Sequence, residues 1–454
     1  MAENTKDKEN YFNTYSDVVT DTQIPIYFGL DTRLDVDKNL NVLSLFSGCG
    51  GMDLGFEGNF IAHRKSVNLK SDFIKSTVND NWILLKSTRF RTIFANDILK
   101  EAKVGWIHYM KRFGYTPELY NQASIVDLVK MHKSGAKIFP DNVDVVTGGF
   151  PCQDFSVAGK RKGFNSHKDH LGHAIEDDSN SSSEETRGKL YYWMKEVIDI
   201  TKPKVFIAEN VKGLVNLGDV KNIIQNDFSQ ADGNGYLVLT PQVLHAGNYG
   251  VPESRERVFF IGVRKDALTP KALAALSADK IPEKYNPYPK PTHACTFVDN
   301  SLPLAVTVGD VFEGLKEPDT TKDLSQRYYS CAKFMGTHCQ GQKEIQLDMI
   351  GPTIRSEHHG NIEFRRLSAE HGGMHIEELR QGLPERRLTP RECALIQTFP
   401  PDYPFVIRSG YSRSRFTLSS SSAYKIIGNA VPPVLAYNIA MRLQNIWSKL
   451  FIID

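Results

Sequence analysis

Short apolar runs alternate with amphipathic segments through the first half of the chain. The helical pattern is clear at residues 188–200, and the apolar runs lie at residues 41–46, 92–95, 144–147, 205–208, 237–244 and 258–263. Runs of this length are typical of buried strands, and strands that alternate with helices favour a mainly parallel sheet. The pattern therefore predicts an α/β domain.

The pattern changes after about residue 265. Residues 265–385 hold short irregular segments and many prolines, which indicates a separate, smaller unit. A helix is predicted to start at Thr389, because Pro390 suits the first helical position and Glu392 completes a capping box. A last amphipathic helix is predicted over residues 431–447.

These boundaries predict four parts of the chain. They are an arm at residues 1–38, a first domain at 39–264, a second domain at 265–422, and a C-terminal segment at 423–454 that returns to the first domain. Residues 165–184, rich in Ser, Asp, Glu and His, are predicted to be a mobile insertion.

Composition narrows the class of protein. The chain has 454 residues, of which 41% are hydrophobic and 24% charged, with a net charge of +2. These values exclude a disordered chain and binding of nucleic acid by bulk charge alone. The N-terminus lacks the apolar stretch of a signal peptide, and we find no membrane-spanning run. Six irregularly spaced cysteines fit a reduced, cytoplasmic protein.

A glycine loop follows the first predicted strand. Gly48, Gly50 and Gly51 lie between that strand and a helix, a geometry that lets the backbone approach a cofactor. Asp97 follows a later strand, where an acidic residue can hold ribose hydroxyls. The separation from Gly48 to Asp97 exceeds the usual ~20 residues, and an insertion at residues 58–91 would explain it.

Three further strand ends carry reactive side chains. Cys152 follows a strand and a Gly-Gly-Phe-Pro turn, so it is either a nucleophile or a small buried hydrophobe. Glu209 ends another strand. It is either an acid that acts beside that thiol or a structural carboxylate. Arg255 and Arg257 share one face of a third strand, where they either bind a carbonyl or anion or form surface salt bridges.

Together these motifs resemble those of the DNA (cytosine-5)-methyltransferases of bacterial restriction–modification systems. The resemblance covers residues 40–264 and 386–445 and rests on FSGCGG at 46–51, GFPCQ at 149–153, ENV at 209–211, GVPxxRxR at 250–257, LTPREC at 388–393 and GNAV at 428–431. It implies a Rossmann-like S-adenosylmethionine-dependent methyltransferase domain with a mainly parallel sheet, plus a smaller, irregular target-recognition domain.

The resemblance also implies catalytic roles. Cys152 is expected to add to C6 of a cytosine that has been flipped out of the duplex, which makes C5 nucleophilic. Glu209 is expected to protonate or hydrogen-bond N3, and Arg257 to hold O2, with Arg255 as its companion near the base. The product would be 5-methylcytosine.

The same resemblance assigns the cofactor pocket. S-adenosylmethionine, released as S-adenosylhomocysteine, is the expected cofactor, and no metal is expected. The residues assigned to it are Phe46, Gly48, Gly50, Asp97, Ile98, Ile125 and Asn429. The chain departs from the family pattern where Glu253 replaces a glutamine, and where Ser124 replaces an aspartate that contacts adenine.

Double-stranded DNA is the expected partner. Residues 265–385 hold 14 Lys and Arg against 17 Asp and Glu, so that stretch is not basic, and six arginines in residues 386–422 are better candidates for phosphate contacts. The DNA-binding residues implied or proposed are Gln153, Ser156, Lys160, Lys162, Arg355 and Arg366. A monomer associated with the nucleoid through DNA, with a cognate endonuclease acting on the same site, is expected.

Alternative functions remain open at this point. The first is cytosine-5 methylation of tRNA, although the Cys-Phe-Thr signature of that branch is missing before Leu388. The second is an inactive DNA-binding paralogue, which predicts loss of Cys152 or Glu209, yet both are present. A nucleotide-dependent dehydrogenase would leave the Pro-Cys-Gln segment unexplained.

Overall fold

The computed structural model describes Asp21 and residues 39–151, 190–216, 219–339, 341–356, 362–410 and 412–452. The strands are β1 Leu40–Leu45, β2 Ile61–His63, β3 Ile74–Thr77, β4 Trp82–Leu85, β5 Phe90–Asn96, β6 Tyr120–Asn121, β7 Val145–Gly149, β8 Val205–Val211, β9 Tyr236–Val238, β10 Gln242–His245, β11 Glu256–Arg264, β12 Phe364–Arg366, β13 Arg386–Arg387, β14 Ile407–Ser409 and β15 Ser412–Leu418.

The α-helices separate these strands. They are α1 Gly51–Glu57, α2 Lys100–Met110, α3 Ile125–Lys133, α4 Leu190–Thr201, α5 Val220–Ser229, α6 Ala231–Asn234, α7 Pro270–Leu276, α8 Val308–Phe312, α9 Leu324–Arg327, α10 Ile376–Arg380, α11 Pro390–Ile396, α12 Ser420–Asn429 and α13 Pro433–Leu450. None of the helices in these ranges is long and apolar enough to cross a membrane.

The central sheet has eight strands in the order β10-β11-β8-β7-β1-β5-β6, with β9 also paired to β11. Strands β6, β5, β1, β7 and β8 run parallel, whereas β11 is antiparallel to β8. The predicted α/β class with a mainly parallel sheet is confirmed. The predicted strand at residues 237–244 is two short strands, β9 and β10, on opposite sides of a break, and both pair with β11.

Side chains that alternate between the two faces of the strands form two apolar cores, one on each face of the sheet. Leu43, Val146 and Phe206 face α3, α4 and α5, whereas Val42 and Val145 face α1, α2, α12 and α13. Successive side chains of a strand point to opposite faces, so continuous apolar runs are what a sheet covered on both faces requires.

The C-terminal helix α13 packs against α1 from the start of the chain. The approach is close at Gly55, where a Cβ atom would lie 2.4 Å from the Cβ atom of Ala436 and 2.7 Å from the carbonyl oxygen of Pro433. Distances below 3.0 Å are not seen between such atoms, so any larger residue at position 55 would force the helices apart. Residues 433–450 therefore share an apolar core with α1 on one face of the central sheet.

The predicted insertion at residues 58–91 corresponds to an inserted unit at residues 58–89, between α1 and β5. It contains a three-stranded antiparallel sheet in the order β2-β4-β3. The rings of Phe60 and Phe73 each pack edge to face against the ring of Tyr437. These contacts attach the insertion to α13. The insertion lengthens the sequence between the glycine loop and Asp97 without separating them in space, as the hydrogen bond described below shows.

The second half of the chain is less regular. It contains the two-stranded sheets β12-β13 and β14-β15 and several short helices. At α11 the predicted capping box is present: the Thr389 hydroxyl accepts from the Glu392 N–H, and the Glu392 carboxylate accepts from the Thr389 N–H. The apolar core of this half is continuous with the α13 side of the sheet.

Candidate active site

The candidate site lies at the carboxyl ends of β1, β7 and β8. Strand β1 pairs with β5 on one side and β7 on the other, so the strand order reverses there. Ligands of open α/β sheets bind at such a switch point. The register places Leu45 beside Gly148, and Gly149 beside Glu209, so the three strand ends lie next to one another.

The glycine loop at residues 46–50 has left-handed backbone at Phe46, Gly48 and Gly50, with φ of 52°, 55° and 82°. The two glycines serve different purposes. A Cβ atom on Gly50 would lie 2.6 Å from Cδ1 of Trp106, so Gly50 allows packing. A Cβ atom on Gly48 would meet no atom within 4 Å, so Gly48 borders open space. That space is suited to a ligand.

Side chains from distant segments hold this loop. The Tyr120 hydroxyl donates to the carbonyl of Gly48 at 2.9 Å, and the Tyr403 hydroxyl donates to the carbonyl of Cys49 at 2.6 Å. Below the loop, the Asp53 carboxylate accepts from the Ser44 hydroxyl and the Trp106 indole. Burial raises the pKa of Asp53 to about 6. None of these supporting residues was identified from the sequence, because only the fold brings them together.

Asp97 meets the glycine loop directly. One carboxylate oxygen accepts from the N–H of Gly48 at 3.1 Å, and the other accepts from the N–H of Leu99 at 2.9 Å. Burial raises the pKa of Asp97 more than these hydrogen bonds lower it. Each oxygen of a carboxylate can accept more than one hydrogen bond, so Asp97 retains acceptor capacity for ribose hydroxyls.

The other cofactor candidates differ in exposure. Ile98 is 41% exposed, unusual for a large apolar residue, and offers a surface for a flat ring. Ile125 is buried at the start of α3, and Asn429 is exposed at the end of α12. Ser124 caps α3 through a hydrogen bond from the N–H of Val126 at 3.3 Å.

We expect Asp97→Asn to weaken cofactor binding by about 10-fold to 100-fold, the scale of one charge-assisted hydrogen bond. The amide nitrogen of Asn cannot accept, so either the Gly48 or the Leu99 N–H loses its partner. Titration of S-adenosylhomocysteine by calorimetry measures the change. Asp80→Asn, an exposed site between β3 and β4, should bind like wild type. Equal affinity in both variants would contradict a ribose-binding role for Asp97.

Glu209 and Arg257 form the polar centre of the site. Arg257 Nε lies 3.0 Å from Glu209 Oε1, and Glu209 is only 7% exposed. The second carboxylate oxygen approaches Gly149 so closely that a Cβ atom there would lie 2.8 Å from it. Burial raises the pKa of Glu209, and Arg257 opposes this shift. A carboxyl group whose pKa is raised in this way is suited to act as a proton donor.

The turn that leads to Cys152 is anchored beside this pair. Asn210 Nδ2 donates to the carbonyl of Phe150 at 3.1 Å. Five predicted site residues lie outside the described residues: Cys152, Gln153, Ser156, Lys160 and Lys162. The same is true of the predicted insertion at residues 165–184. Gly149 and Pro151 are nevertheless placed, so the strand end that leads to Cys152 lies beside Glu209.

Arg255 lies on the same side of the sheet but faces the protein interior. It is 1% exposed, and its guanidinium donates to the carbonyls of Ile354, Gly428 and Ala430. The predicted position near the reacting base is therefore not what the structure shows for this side chain. Its role is taken up below.

Several arginines predicted to contact DNA are buried. Arg366 is fully buried and pairs with Glu317 at 2.9 Å and Glu378 at 3.2 Å, which argues against the base contact predicted for it. Arg386 and Arg391, predicted phosphate contacts, pair internally with Glu392 and Asp323. Arg387 is equally buried, against backbone carbonyls. Arg355 is partly buried. Local charge did not reveal these pairs, because Glu317 and Asp323 come from another segment and burial of the Arg386–Glu392 pair depends on the fold.

Replacing Arg391 by alanine should lower the free energy of unfolding by about 3–5 kcal/mol, because it leaves the Asp323 carboxylate buried and unpaired. Urea denaturation measures this change. Arg415→Ala removes an exposed arginine of the same region and should change the free energy of unfolding by less than about 0.5 kcal/mol. A phosphate-binding Arg391 would instead show normal unfolding and weakened DNA binding.

No group of three or more metal-ligating side chains converges anywhere in the described ranges. The His293 ring hydrogen-bonds to the Thr292 hydroxyl and to the carbonyl of Lys65.

Known proteins resemble this chain in sequence and in fold. The family model for C-5 cytosine-specific DNA methylase matches residues 40–177 and 178–445. The type II methyltransferase M.BsuRI of Bacillus subtilis is 30% identical over 449 residues, covering 96% of this chain and 86% of that protein. M.NgoPII of Neisseria gonorrhoeae, also a type II methyltransferase, is 29% identical, covering 89% of this chain and 95% of that protein.

A solved structure shares the fold. A putative DNA modification methyltransferase encoded within a prophage of Escherichia coli superposes with a TM-score of 0.51 at 20% identity, covering 90% of this chain and 100% of that chain. The family match spans most of the residues, and the glycine loop, Glu209 and Arg257 lie at one edge of the central sheet. The chain therefore belongs to the C-5 cytosine-specific DNA methylase family and is a DNA (cytosine-5)-methyltransferase of the bacterial restriction–modification type.

Proposed function

We propose that this enzyme methylates C5 of a flipped-out cytosine within a specific duplex sequence, through a covalent bond between Cys152 and C6 of the base. The observation that carries the proposal is the Glu209–Arg257 pair at 3.0 Å, beside the strand end that leads to Cys152. An acid and a fixed cation, together with a thiol in the adjoining segment of the sequence, are the groups that addition to a cytosine ring requires.

Cytosine C5 is a weak nucleophile until C6 is attacked. The Cys152 thiolate adds to C6, and the ring electrons then make C5 enamine-like. After C5 has gained its methyl group, loss of the C5 proton and elimination of the Cys152 sulfur restore the aromatic ring. Both carbons are inaccessible inside a stacked duplex, so the base must leave the helix first.

Glu209 aids the addition at the opposite side of the ring. Attack at C6 pushes negative charge towards N3, and a protonated Glu209 neutralises it by donating a proton there. The raised pKa of Glu209 supports this role, because a larger fraction of the carboxyl group is protonated near neutral pH. Arg257 holds Glu209 Oε1 and has further N–H groups for the cytosine O2.

The described cofactor residues fit S-adenosylmethionine. The open space at Gly48, the unused acceptor capacity of Asp97 and the exposed side chain of Ile98 suit its amino-acid part, ribose and adenine in turn. Ile125 and Asn429 are proposed to complete the pocket. When bound, the sulfonium cofactor supplies an electrophilic methyl group. Phe46, Gly48 and Gly50 would orient it, and the Tyr120 and Tyr403 hydrogen bonds keep that loop fixed.

DNA recognition is proposed to involve both predicted domains. Residues 265–422 would read the sequence, with Arg355 as a candidate base contact, and Gln153, Ser156, Lys160 and Lys162 would contact the duplex near the flipped base. The similarity to type II methyltransferases supports a role in protecting host DNA against a cognate endonuclease. We propose that the protein acts as a cytoplasmic monomer.

The test is transfer of a labelled methyl group from S-adenosylmethionine to unmethylated duplex DNA, with tRNA as the parallel substrate. We expect label in DNA as 5-methylcytosine, confined to one short sequence when the product is mapped by bisulfite sequencing. Label in tRNA alone would show that the substrate is RNA and not DNA. Binding of DNA without transfer would contradict catalysis by this chain.

A further inference from the structure

The Arg255 guanidinium joins three segments that are distant in the sequence. Nη1 donates to the carbonyl of Ile354 at 3.0 Å, and Nη2 donates to the carbonyls of Gly428 at 3.0 Å and Ala430 at 2.8 Å. The side chain is 1% exposed, so water does not compete for these bonds. Three carbonyls at one planar guanidinium form a defined geometric constraint.

The segments so joined belong to different parts of the proposed site. Gly428 and Ala430 flank Asn429, the proposed cofactor residue at the end of α12. Ile354 precedes Arg355, the candidate base contact. The two backbones also touch, because a Cβ atom on Gly428 would lie 2.1 Å from the carbonyl carbon of Arg355. Only glycine permits that approach, so the two segments are in direct contact at this point.

Glu253 holds the same loop from the other side. Glu253 Oε1 accepts from the N–H of Ile354 at 2.7 Å and lies 3.6 Å from Arg255 Nη1. The Ser254 N–H also donates to the carbonyl of Gly351 at 2.8 Å. The N–H and the carbonyl of Ile354 are therefore both bonded to residues of the segment that begins β11.

The third connection runs through β11 itself. Arg255 directly precedes this strand and Arg257 is its second residue, and Arg257 pairs with Glu209 at 3.0 Å. A displacement of the Arg255 backbone would therefore move Arg257 relative to Glu209. No atom of Arg255 needs to reach the base for this effect.

We propose that Arg255, held by Glu253, is a positioning residue that fixes the Asn429 turn, the Arg355 loop and the Glu209–Arg257 pair relative to one another, so that cofactor binding and DNA binding are coupled through it. This proposal rests on the proposed function. It distinguishes Arg255 from Arg257, which is the residue expected to touch the substrate.

The experiment measures the affinity for a duplex carrying the mapped methylation sequence, with and without S-adenosylhomocysteine. In the wild type we expect the cofactor product to tighten DNA binding by about 5-fold to 150-fold, the usual range for coupled sites. Arg255→Lys should reduce this ratio to about 2-fold or less, because a compact ammonium cannot reproduce the planar fork. Arg257→Lys should lower kcat and keep the ratio.

Two further variants separate coupling from folding. Glu253→Gln keeps an acceptor for the Ile354 N–H but removes the charge beside Arg255, so it should reduce the ratio less than Arg255→Lys does. If Arg255→Lys does not fold, the double variant Arg255→Met with Glu253→Leu removes both buried charges at once, which is tolerated better than removing one. A cooperative thermal melting transition shows that this variant is folded. Its DNA affinity with S-adenosylhomocysteine should then be nearly the same as its affinity without it.

Two results would overturn the proposal while leaving the function intact. The first is an active wild type whose DNA affinity does not respond to S-adenosylhomocysteine. The second is a folded Arg255→Lys enzyme with reduced kcat and an unchanged ratio, which would place Arg255 at the base. A wild type that transfers no methyl group to DNA would instead refute the proposed function.

Discussion

Cys152→Ser is expected to reduce methyl transfer to less than about 10⁻⁴ of the wild-type rate, the scale of loss when a catalytic nucleophile is removed. A serine hydroxyl is far less acidic than a thiol, and neither the Glu209 carboxyl nor the Arg257 guanidinium can act as its base in this site. DNA binding should persist, because the substitution removes no charge. Transfer of labelled methyl groups and a gel-shift titration measure the two properties.

Cys331 provides the matched control. It is an exposed free cysteine in the second half of the chain, and Cys331→Ser should retain wild-type transfer. A second readout uses DNA carrying 5-fluorocytosine, in which the fluorine blocks loss of the group at C5. The wild type should then form a complex that survives denaturing electrophoresis, and Cys152→Ser should not. A stable complex in the serine variant would exclude Cys152 as the attacking group.

Glu209→Gln is expected to lower kcat by about 10²-fold to 10⁴-fold, the usual contribution of a positioned acid. The amide can hydrogen-bond N3 but cannot transfer a proton to it. Glu196, another buried glutamate, lies on α4 and pairs with Lys133. Glu196→Gln should therefore leave kcat unchanged and shows whether the effect is specific to the site.

The pH dependence of Glu209 follows from the direction of its shift. Burial raises the pKa of this carboxyl group, so its proton is present at low pH and is lost as pH rises through the raised value. The rate should therefore fall on the alkaline side as Glu209 ionises. Glu209→Gln should remove the alkaline limb. An alkaline limb that survives in this variant would assign that ionisation to another group.

The sequence predicted the parts of the site that are coded locally. A strand followed by glycines, a strand followed by Pro-Cys, and the capping box at Thr389 each depend on a few adjacent residues, and the fold and the capping box are confirmed. Asp97 was placed by the same reasoning despite the intervening insertion, because strand ends of one parallel sheet meet at one edge.

Partners that come from distant segments were not predicted. Arg386 and Arg391 belong to an arginine-rich stretch of the sequence, yet Glu317 and Asp323 neutralise them from elsewhere in the second half of the chain. Tyr403 reaches the glycine loop from 354 positions along the chain. Local composition describes neither case, because burial and pairing are decided only when the segments pack.

The packing of α13 on α1 has a consequence for biosynthesis. Residues 51–57 emerge from the ribosome early, whereas the helix that covers them ends at residue 450. At about 5–20 residues per second, the apolar face of α1 waits on the order of 20–80 s for its partner. The nascent chain therefore carries an incomplete core over this interval, and it can bury that face only after α13 has been translated.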